Sequence, residues 1–374
     1  MLSPTRLRRR AIPHHPVIDV AVEAGFDFLS DEYRGLYQRS DATAFQAPLW
    51  LYKLHTVLAP QLKARQHTIT LRHRDTGALT AVLPLTVQRS VGLTIVQPAD
   101  FGVSDYNAIV APNGMLELIA DDMVLRQSID AEVGGNLLLF RKVRSDSFDV
   151  SRIFTRMTAS PAKNSAFHTE KGESIEAWQS LLPGKMVSKL GQLARRLEKD
   201  HGPYAHIEVR TEAEIREAFA LLRQVRTNRF DRDLLDDDAY FQFYLDYAIA
   251  AAQCGEAATY VGRVNGEVVA MLFGVTGDGI FHGLLIGADT EKWGKFSVGR
   301  QVYYHAILDQ FAQGKPRLDL SLGDSGYKAM FRVVETKLRN FSGAKSIRGA
   351  AVAMIYHHAK PLKNRLSRLV PRLR

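Results

Sequence analysis

The stretch from Thr259 to Phe331 constrains the fold most. Tyr260–Val264 and Glu267–Gly274 are rich in β-branched and aromatic residues, and Asn265-Gly266 separates them. Both residues of that dipeptide accept positive φ, so the pair predicts a tight hairpin. Gly277-Asp278-Gly279 turns the chain again into Ile280–Ile286. Ser297-Val298-Gly299-Arg300 then predicts a helix start directly after a strand, and Arg317–Leu322 a returning strand. Such a helix offers its first backbone N–H groups to an anion. Ser297 is expected to cap it, Gly299 to let a phosphate approach the backbone, and Arg300 to add a charge. This order predicts an enzyme that holds a phosphorylated cofactor beside a sheet.

The 374 residues suit two domains, and 46% hydrophobic residues give each half enough apolar side chains for its own core. The lone cysteine, Cys254, excludes an internal disulfide framework and fits a reducing compartment. Arg6–Arg10 is basic, but Pro13, His14, His15, Pro16 and Asp19 follow instead of an apolar signal core. The longest apolar runs, such as Val268–Gly274, are strand-sized. The expectation is a cytoplasmic protein.

The net charge of +9 is unevenly placed. Ten basic residues and no acid follow Glu335, which leaves the rest of the chain near neutral. Within that tail, Leu362, Leu366, Leu369 and Leu373 recur at helical spacing beside Lys363, Arg365, Arg368 and Arg372. The pattern suits weak contact with an anionic membrane surface, or leucines docked on the protein's own body, or a solvated terminus. No specific nucleic-acid contact is expected.

Along the chain, residues 1–40 read as a basic arm and a short helix. Residues 41–160 read as a first αβ unit: helix over Pro48–Leu62, strands over Thr68–Arg72, Leu79–Gln88 and Leu93–Gln97, helix over Met115–Arg126, strand over Asn136–Val143. Residues 161–345 repeat the order of hairpin, third strand, helix and further strand, by pattern alone. Residues 346–374 are the basic tail. Where the second unit has Ser-x-Gly, the first has Asp100-Phe101-Gly102-Val103-Ser104-Asp105-Tyr106, so the first unit is expected to be a scaffold or one wall of an acceptor site. Between the units, Met186, Leu190, Leu193 and Leu197 form an apolar stripe that Gly202-Pro203 ends, with Lys185, Lys189, Arg196 and Lys199 on another face. Thr211-Glu212-Ala213-Glu214 is a capping box, and Asp236–Ala252 predicts a further helix.

These residues resemble the GNAT acyltransferase superfamily, in its branch tied to bacterial cellulose and exopolysaccharide synthesis (CelD/BcsL-like), and more distantly the FemAB-type enzymes. The segments that carry the likeness are FQAPLW from Phe45, KMVSKLGQLARRLEK from Lys185, YVGRVNGEVVAMLF from Tyr260, IFHGLLIGAD from Ile280, SVGRQVYY from Ser297 and DLSLGDSGYKAMF from Asp319. They span roughly Phe45 to Ser342. The resemblance implies an α/β (α+β) fold of two tandem GNAT-like units, each a mixed, mostly antiparallel sheet flanked by helices. It also implies an acyl-CoA, with acetyl-CoA first, as donor, and a sugar or polysaccharide precursor as the leading acceptor class. FemAB-type enzymes share the two-unit architecture but use aminoacyl-tRNA. A silent subunit of an envelope-polysaccharide assembly is the alternative from another class.

Acyl transfer from a thioester requires a held donor, a polarised carbonyl and an acceptor that loses a proton. By the resemblance, the donor lies along the edge of Phe281–Gly287, where a backbone N–H polarises the carbonyl. Donor contacts are then expected at Phe281, Leu284, Ile286, Ser297, Val298, Gly299 and Arg300. Tyr327, which follows the last core strand, is the candidate general acid, or else a ring packing its loop on the sheet. Asp324 is a candidate base or acceptor anchor, or a turn residue in Gly323-Asp324-Ser325-Gly326. Asp319 on the polar face of its strand, Lys328 and Arg196 are candidate acceptor contacts; for Lys328 a structural ion pair and for Arg196 a solvated helix face are the alternatives. His282 and His305 are further candidate bases. No metal site is expected, because His14-His15 and His357-His358 lack ligand spacing.

Overall fold

The computed structural model describes residues 15–90, 92–227, 233–323 and 326–354. Its strands, in chain order, are β1 (Ile18–Glu23), β2 (Ala64–Gln66), β3 (Thr68–His73), β4 (Leu79–Leu83), β5 (Leu85–Ser90), β6 (Leu93–Pro98), β7 (Leu137–Arg144) and β8 (Met157–Pro161). They continue with β9 (Ala166–Glu170), β10 (Tyr204–Val209), β11 (Ala257–Val264), β12 (Glu267–Gly277), β13 (Ile280–Ala288), β14 (Arg317–Leu322), β15 (Val334–Thr336) and β16 (Leu338–Ala344).

Two large sheets share one plan. In the seven-stranded sheet, β10-β11-β12-β13-β14-β9-β15, the strands β12 and β13 form an antiparallel hairpin and β14 lies parallel to β13. In the six-stranded sheet, β2-β5-β6-β7-β16-β8, β5 and β6 form the hairpin and β7 lies parallel to β6. Each parallel crossover is helical: Val298–Ala312 in the second unit, Asn113–Asp121 with Met123–Val133 in the first. The fold is therefore two tandem mixed sheets flanked by helices; the third strand, helix and further strand of the expected repeat recur, whereas the expected first-unit hairpin, β3 with β4, lies in a separate sheet.

The units are laced together. β16 follows the second sheet in sequence, yet it pairs with β7 and β8 of the first. The unit expected at residues 161–345 thus gives its last strand to the sheet of residues 41–160. The arm expected at residues 1–40 contributes β1, antiparallel to β3, besides the short helix Asp31–Gln38. The residues 1–14 and the tail beyond Met354, with its leucine pattern, lie outside the described residues.

Local chemistry accounts for several departures. The expected strand Leu79–Gln88 breaks at Pro84, which has no N–H for a ladder; β4 joins β3 in a three-stranded sheet while β5 enters the six-stranded one. The expected helix Met115–Arg126 is two helices, because Asp122 stops the first and its carboxylate accepts from the N–H groups of Val124 and Leu125 to start the second. The helix from Pro48 runs to Gln61 but slips into a π turn over Leu54–Leu58, just before Pro60, whose missing N–H interrupts the ordinary ladder. Other expectations hold. Asn265 and Gly266 both have positive φ in the β11–β12 turn. Thr211 and Glu214 form the capping box of Glu212–Arg226, and Met186–His201 ends at Gly202.

Apolar cores cover both faces of the seven-stranded sheet. One face meets Glu212–Arg226, Asp238–Ala252 and the first unit's Phe45 and Trp50; the other meets Val298–Ala312 and Met186–His201. The first face is also the seam between the units.

Candidate active site

β13 and β14 pair at Phe281 with Leu318 and at His282 with Asp319, and beyond those pairs they part. Just past the parting, Phe273 faces Leu285 and Gly274 faces Gly283, so Leu284 is the extra residue of a β-bulge. Gly274 permits it: a Cβ there would stand 2.4 Å from His282 O and 2.3 Å from Phe281 Cζ. A bulge turns one residue's backbone out of the ladder. Here that residue is at the mouth of the opening between two parallel strands.

A cleft of about 750 Å³ lies beside the far end of β13, lined by Ile286–Ala288, Ser297–Arg300 and Tyr327, among others. Val298, Gly299 and Arg300 begin the helix Val298–Ala312, whose first N–H groups have no intrahelical acceptor and face this space. Of the expected donor residues, Ile286, Ser297, Val298, Gly299 and Arg300 therefore border one cleft. Phe281 does not; its ring is fully buried against Tyr260. Leu284 sits at the bulge with its side chain packed on the seam face.

Two expectations about the helix start are corrected. The helix does not follow β13 directly, because a short helix, Thr290–Trp293, and a 3-10 turn, Gly294–Phe296, intervene. Asp289 caps the short helix through Lys292 N–H. Ser297 makes no side-chain cap, since its φ of 55° puts it in the left-handed region. Gly299 is needed for packing: a Cβ there would lie 3.1 Å from Ala288 Cβ.

Tyr327 is half-buried and borders the cleft, 5.9 Å ring to ring from Tyr303. Asp324 lies outside the described residues. Lys328 is buried, and its ammonium donates to the carbonyls of Ser321 and Leu322 at 2.9 Å each, so it ties down the end of β14 instead of lining the cleft. Arg196 is exposed on its helix and pairs with Asp200 at 3.5 Å, apart from the cleft lining. His305 stacks on His206 at 3.8 Å, and burial lowers its pKa.

Asp319 has a richer setting than its strand position suggested. It is 6% exposed and points into the seam. Tyr106 of the first unit donates its hydroxyl to Oδ2, Ser321 N–H donates to Oδ1 at 2.6 Å, and His282 Nδ1 lies 3.4 Å from Oδ2. Burial works to raise its pKa, but His282, Tyr106 and the Ser321 amide together hold it below the ordinary carboxylate range. Nearby Asp105 is shifted the other way: burial raises it, and Asp319 adds to that, against Lys142. Asp105 and Tyr106 belong to the loop that replaces the Ser-x-Gly start in the first unit. Its departure from the repeat was the only signal in the sequence for them.

The first unit keeps a cleft at the matching place, about 420 Å³, bordered by Asn113 at its helix start, by Arg144 at the end of β7 and by Asp146 after it. Asp41, Glu117, Asp146 and Asp278 border it against the single Arg144. A phosphate-bearing donor is poorly matched to such a surface.

Comparisons with known proteins fit this geometry. Residues 184–329 match the family model described as an acetyltransferase (GNAT) domain. No curated protein matches the chain. Among solved structures, a conserved protein of unknown function from Bacteroides thetaiotaomicron shares 14% identity with a TM-score of 0.57, over 87% of this chain and all of that one. FemX shares 9% at 0.57, over 82% and 94% of the two chains. L-PGS from Bacillus licheniformis shares 11% at 0.54, over 89% and 96%. At such identities the structures speak for the fold, and the family model for the domain within it. Residues 184–329 are thus a GNAT acetyltransferase domain, set in the second half of a fold shared with FemX, and the protein is an acyltransferase.

Proposed function

We propose that the protein transfers an acyl group, acetyl in the first instance, from coenzyme A to an amine or hydroxyl acceptor, with a sugar of a polysaccharide precursor as the leading class. The observation that carries the donor half is the parting of β13 and β14, with a cleft beside the far end of β13 bordered by the open start of Val298–Ala312. In this reading the pyrophosphate lies against the N–H groups of residues 298–300 and Arg300, and the pantetheine runs along the free edge of β13. The thioester carbonyl then meets the bulge at Leu284, where a backbone N–H stabilises the oxyanion. Tyr327, on the cleft wall, protonates the departing thiolate. The saccharide acceptor rests on the family resemblance alone.

The FemAB-like alternative has in its favour the matches to FemX and to L-PGS over most of each chain. A charged tRNA requires an extended basic groove. Among the described residues bordering the cleft, Arg300 is the one cation. A silent binding subunit would fit a filled cleft with Tyr327 sealed in the core, whereas Tyr327 is half-buried and borders open space.

The test is thermal unfolding with acetyl-CoA, with free adenine nucleotides and with aminoacyl-tRNA. A ligand at one hundred times its dissociation constant stabilises by about 2.7 kcal/mol. Stabilisation by acetyl-CoA alone is expected. Stabilisation by aminoacyl-tRNA and none by acetyl-CoA would move the donor to the FemAB class.

A further inference from the structure

We propose that His282 is the general base that takes the acceptor's proton, with Asp319 orienting it and Tyr106 of the first unit positioning Asp319. The inference rests on the donor reading above. His282 is the last residue of β13 to pair with β14 before the strands part, and it stands two residues ahead of the bulge at Leu284. The base is thereby placed next to the carbonyl that the bulge would polarise.

Asp319 is fixed from three directions, by Tyr106 OH, by Ser321 N–H and by its neighbour His282. Ser321 takes a φ of 65°, which a non-glycine residue adopts at some expense, and so directs its amide to that carboxylate. The ring of His282 is held by Phe45 at 5.4 Å and Tyr106 at 5.8 Å, both from the first unit. A carboxylate facing Nδ1 selects the tautomer whose Nε2 carries the free lone pair.

The surroundings are built yet unfinished. His282 Nδ1, Asp105 Oδ2, Ser321 Oγ and Tyr303 OH are buried without a well-aligned hydrogen bond among the described residues. Native interiors pair nearly all such groups. His282 Nδ1 faces Asp319 and Asp105 faces Ser321, so Tyr303 OH is the open valence left for a polar acceptor, and unbound catalytic hydrogen bonds are commonly long. The titratable and charged groups that face this centre are Asp105, Asp319, Tyr106, Tyr303, Tyr327, Lys142, Arg144 and His168.

In the step itself, the acceptor nitrogen or oxygen attacks the thioester carbon, and its proton passes to His282 Nε2. The carbon–sulfur bond then breaks, and the thiolate takes the proton of Tyr327. Proton transfer from His282 to the tyrosinate through solvent resets the pair. The first unit is in this reading part of the chemistry, since it supplies the residues that hold the base.

The experiment follows thiol release from acetyl-CoA by the full chain, with glucosamine, glucose and water as acceptors, between pH 5 and 9. Acetyl-CoA affinity is measured in parallel by calorimetry. His282→Gln and Asp319→Asn are expected to slow release by roughly 10²–10⁴-fold with unchanged acetyl-CoA affinity. The rise of rate with pH should vanish in His282→Gln. Tyr106→Phe should give a smaller loss and a displaced pH profile, which a packing role would leave in place. Wild-type rates in His282→Gln across the pH range overturn the inference, as does wild-type binding of acetyl-CoA without release to any acceptor. Absence of acetyl-CoA binding by the wild type overturns the donor reading instead. Should Asp319→Asn fail to fold, His282→Gln and Tyr106→Phe carry the test.

Discussion

Acidification should destabilise this protein through its buried imidazoles, among them His55. It lies in the π turn of the helix from Pro48, with its ring stacked on Phe28 at 5.1 Å and 4°. The residue as a whole is half-buried, but both ring nitrogens are out of solvent and have no hydrogen-bond partner among the described residues. Burial lowers its pKa from 6.5 to about 4. The folded state therefore binds this proton more weakly than the unfolded chain does. Stability is full above pH 6.5, declines as the pH falls through 6.5, and levels off near pH 4. A drop of that size corresponds to roughly 3 kcal/mol. With about 2.1 cal/mol/K of unfolding entropy per residue, a chain this long loses about 4 °C for that amount if it melts cooperatively. His55→Phe keeps a ring on Phe28 and removes the titration. Urea unfolding of both proteins at pH 7, 6, 5 and 4 isolates the effect, because His206, lowered by burial to about 3, cancels in the difference. The gap should widen by roughly 3 kcal/mol towards pH 4 in favour of the variant. A gap independent of pH would refute the reasoning.

Three further outcomes are expected. Arg300→Ala, at the exposed start of Val298–Ala312, should weaken acetyl-CoA binding by roughly 10- to 100-fold, the worth of a charged hydrogen bond, and leave the melting temperature of the unliganded protein nearly unchanged; calorimetry and a melt read both. Tyr327→Phe should lower kcat by roughly 10²–10⁴-fold with little change in donor affinity, and full turnover would reassign its ring to packing against Tyr303. A chain ending at Lys337 loses β16, which lies between β7 and β8, and should be insoluble; a soluble, cooperatively folding product would show that the first sheet closes without it.

The sequence carried the second unit far better than the first. Asn265-Gly266 and Gly277-Asp278-Gly279 announce their turns through residues that accept positive φ, and the capping box at Thr211 announces its helix, because each signal is local. Pro84 and Asp122 are equally local, but their effects depend on where the chain goes next. A proline within an apolar run reads as a weak strand until β4 and β5 are seen in different sheets. Ser297 misled for a related reason. A serine before a helix is a good cap only with extended backbone, and its left-handed φ is imposed by the preceding turn, Gly294–Phe296.

The site shows the same division. Its proposed donor side is a strand edge and a helix start, both contiguous in sequence, and Ile286 and Ser297–Arg300 border one cleft. Its proposed acceptor side is assembled across 213 positions, from Tyr106 to Asp319. No spacing rule reaches that far. What the sequence did contain was a broken repeat: a pattern that matches through hairpin and strand and then substitutes Asp100–Tyr106 for the expected helix start. In a tandem fold laced through β16, such a departure marks the seam: Tyr106 of that loop meets Asp319 where β13 and β14 part. The place where a repeat fails is then the place to look for the residues that one unit lends to the other.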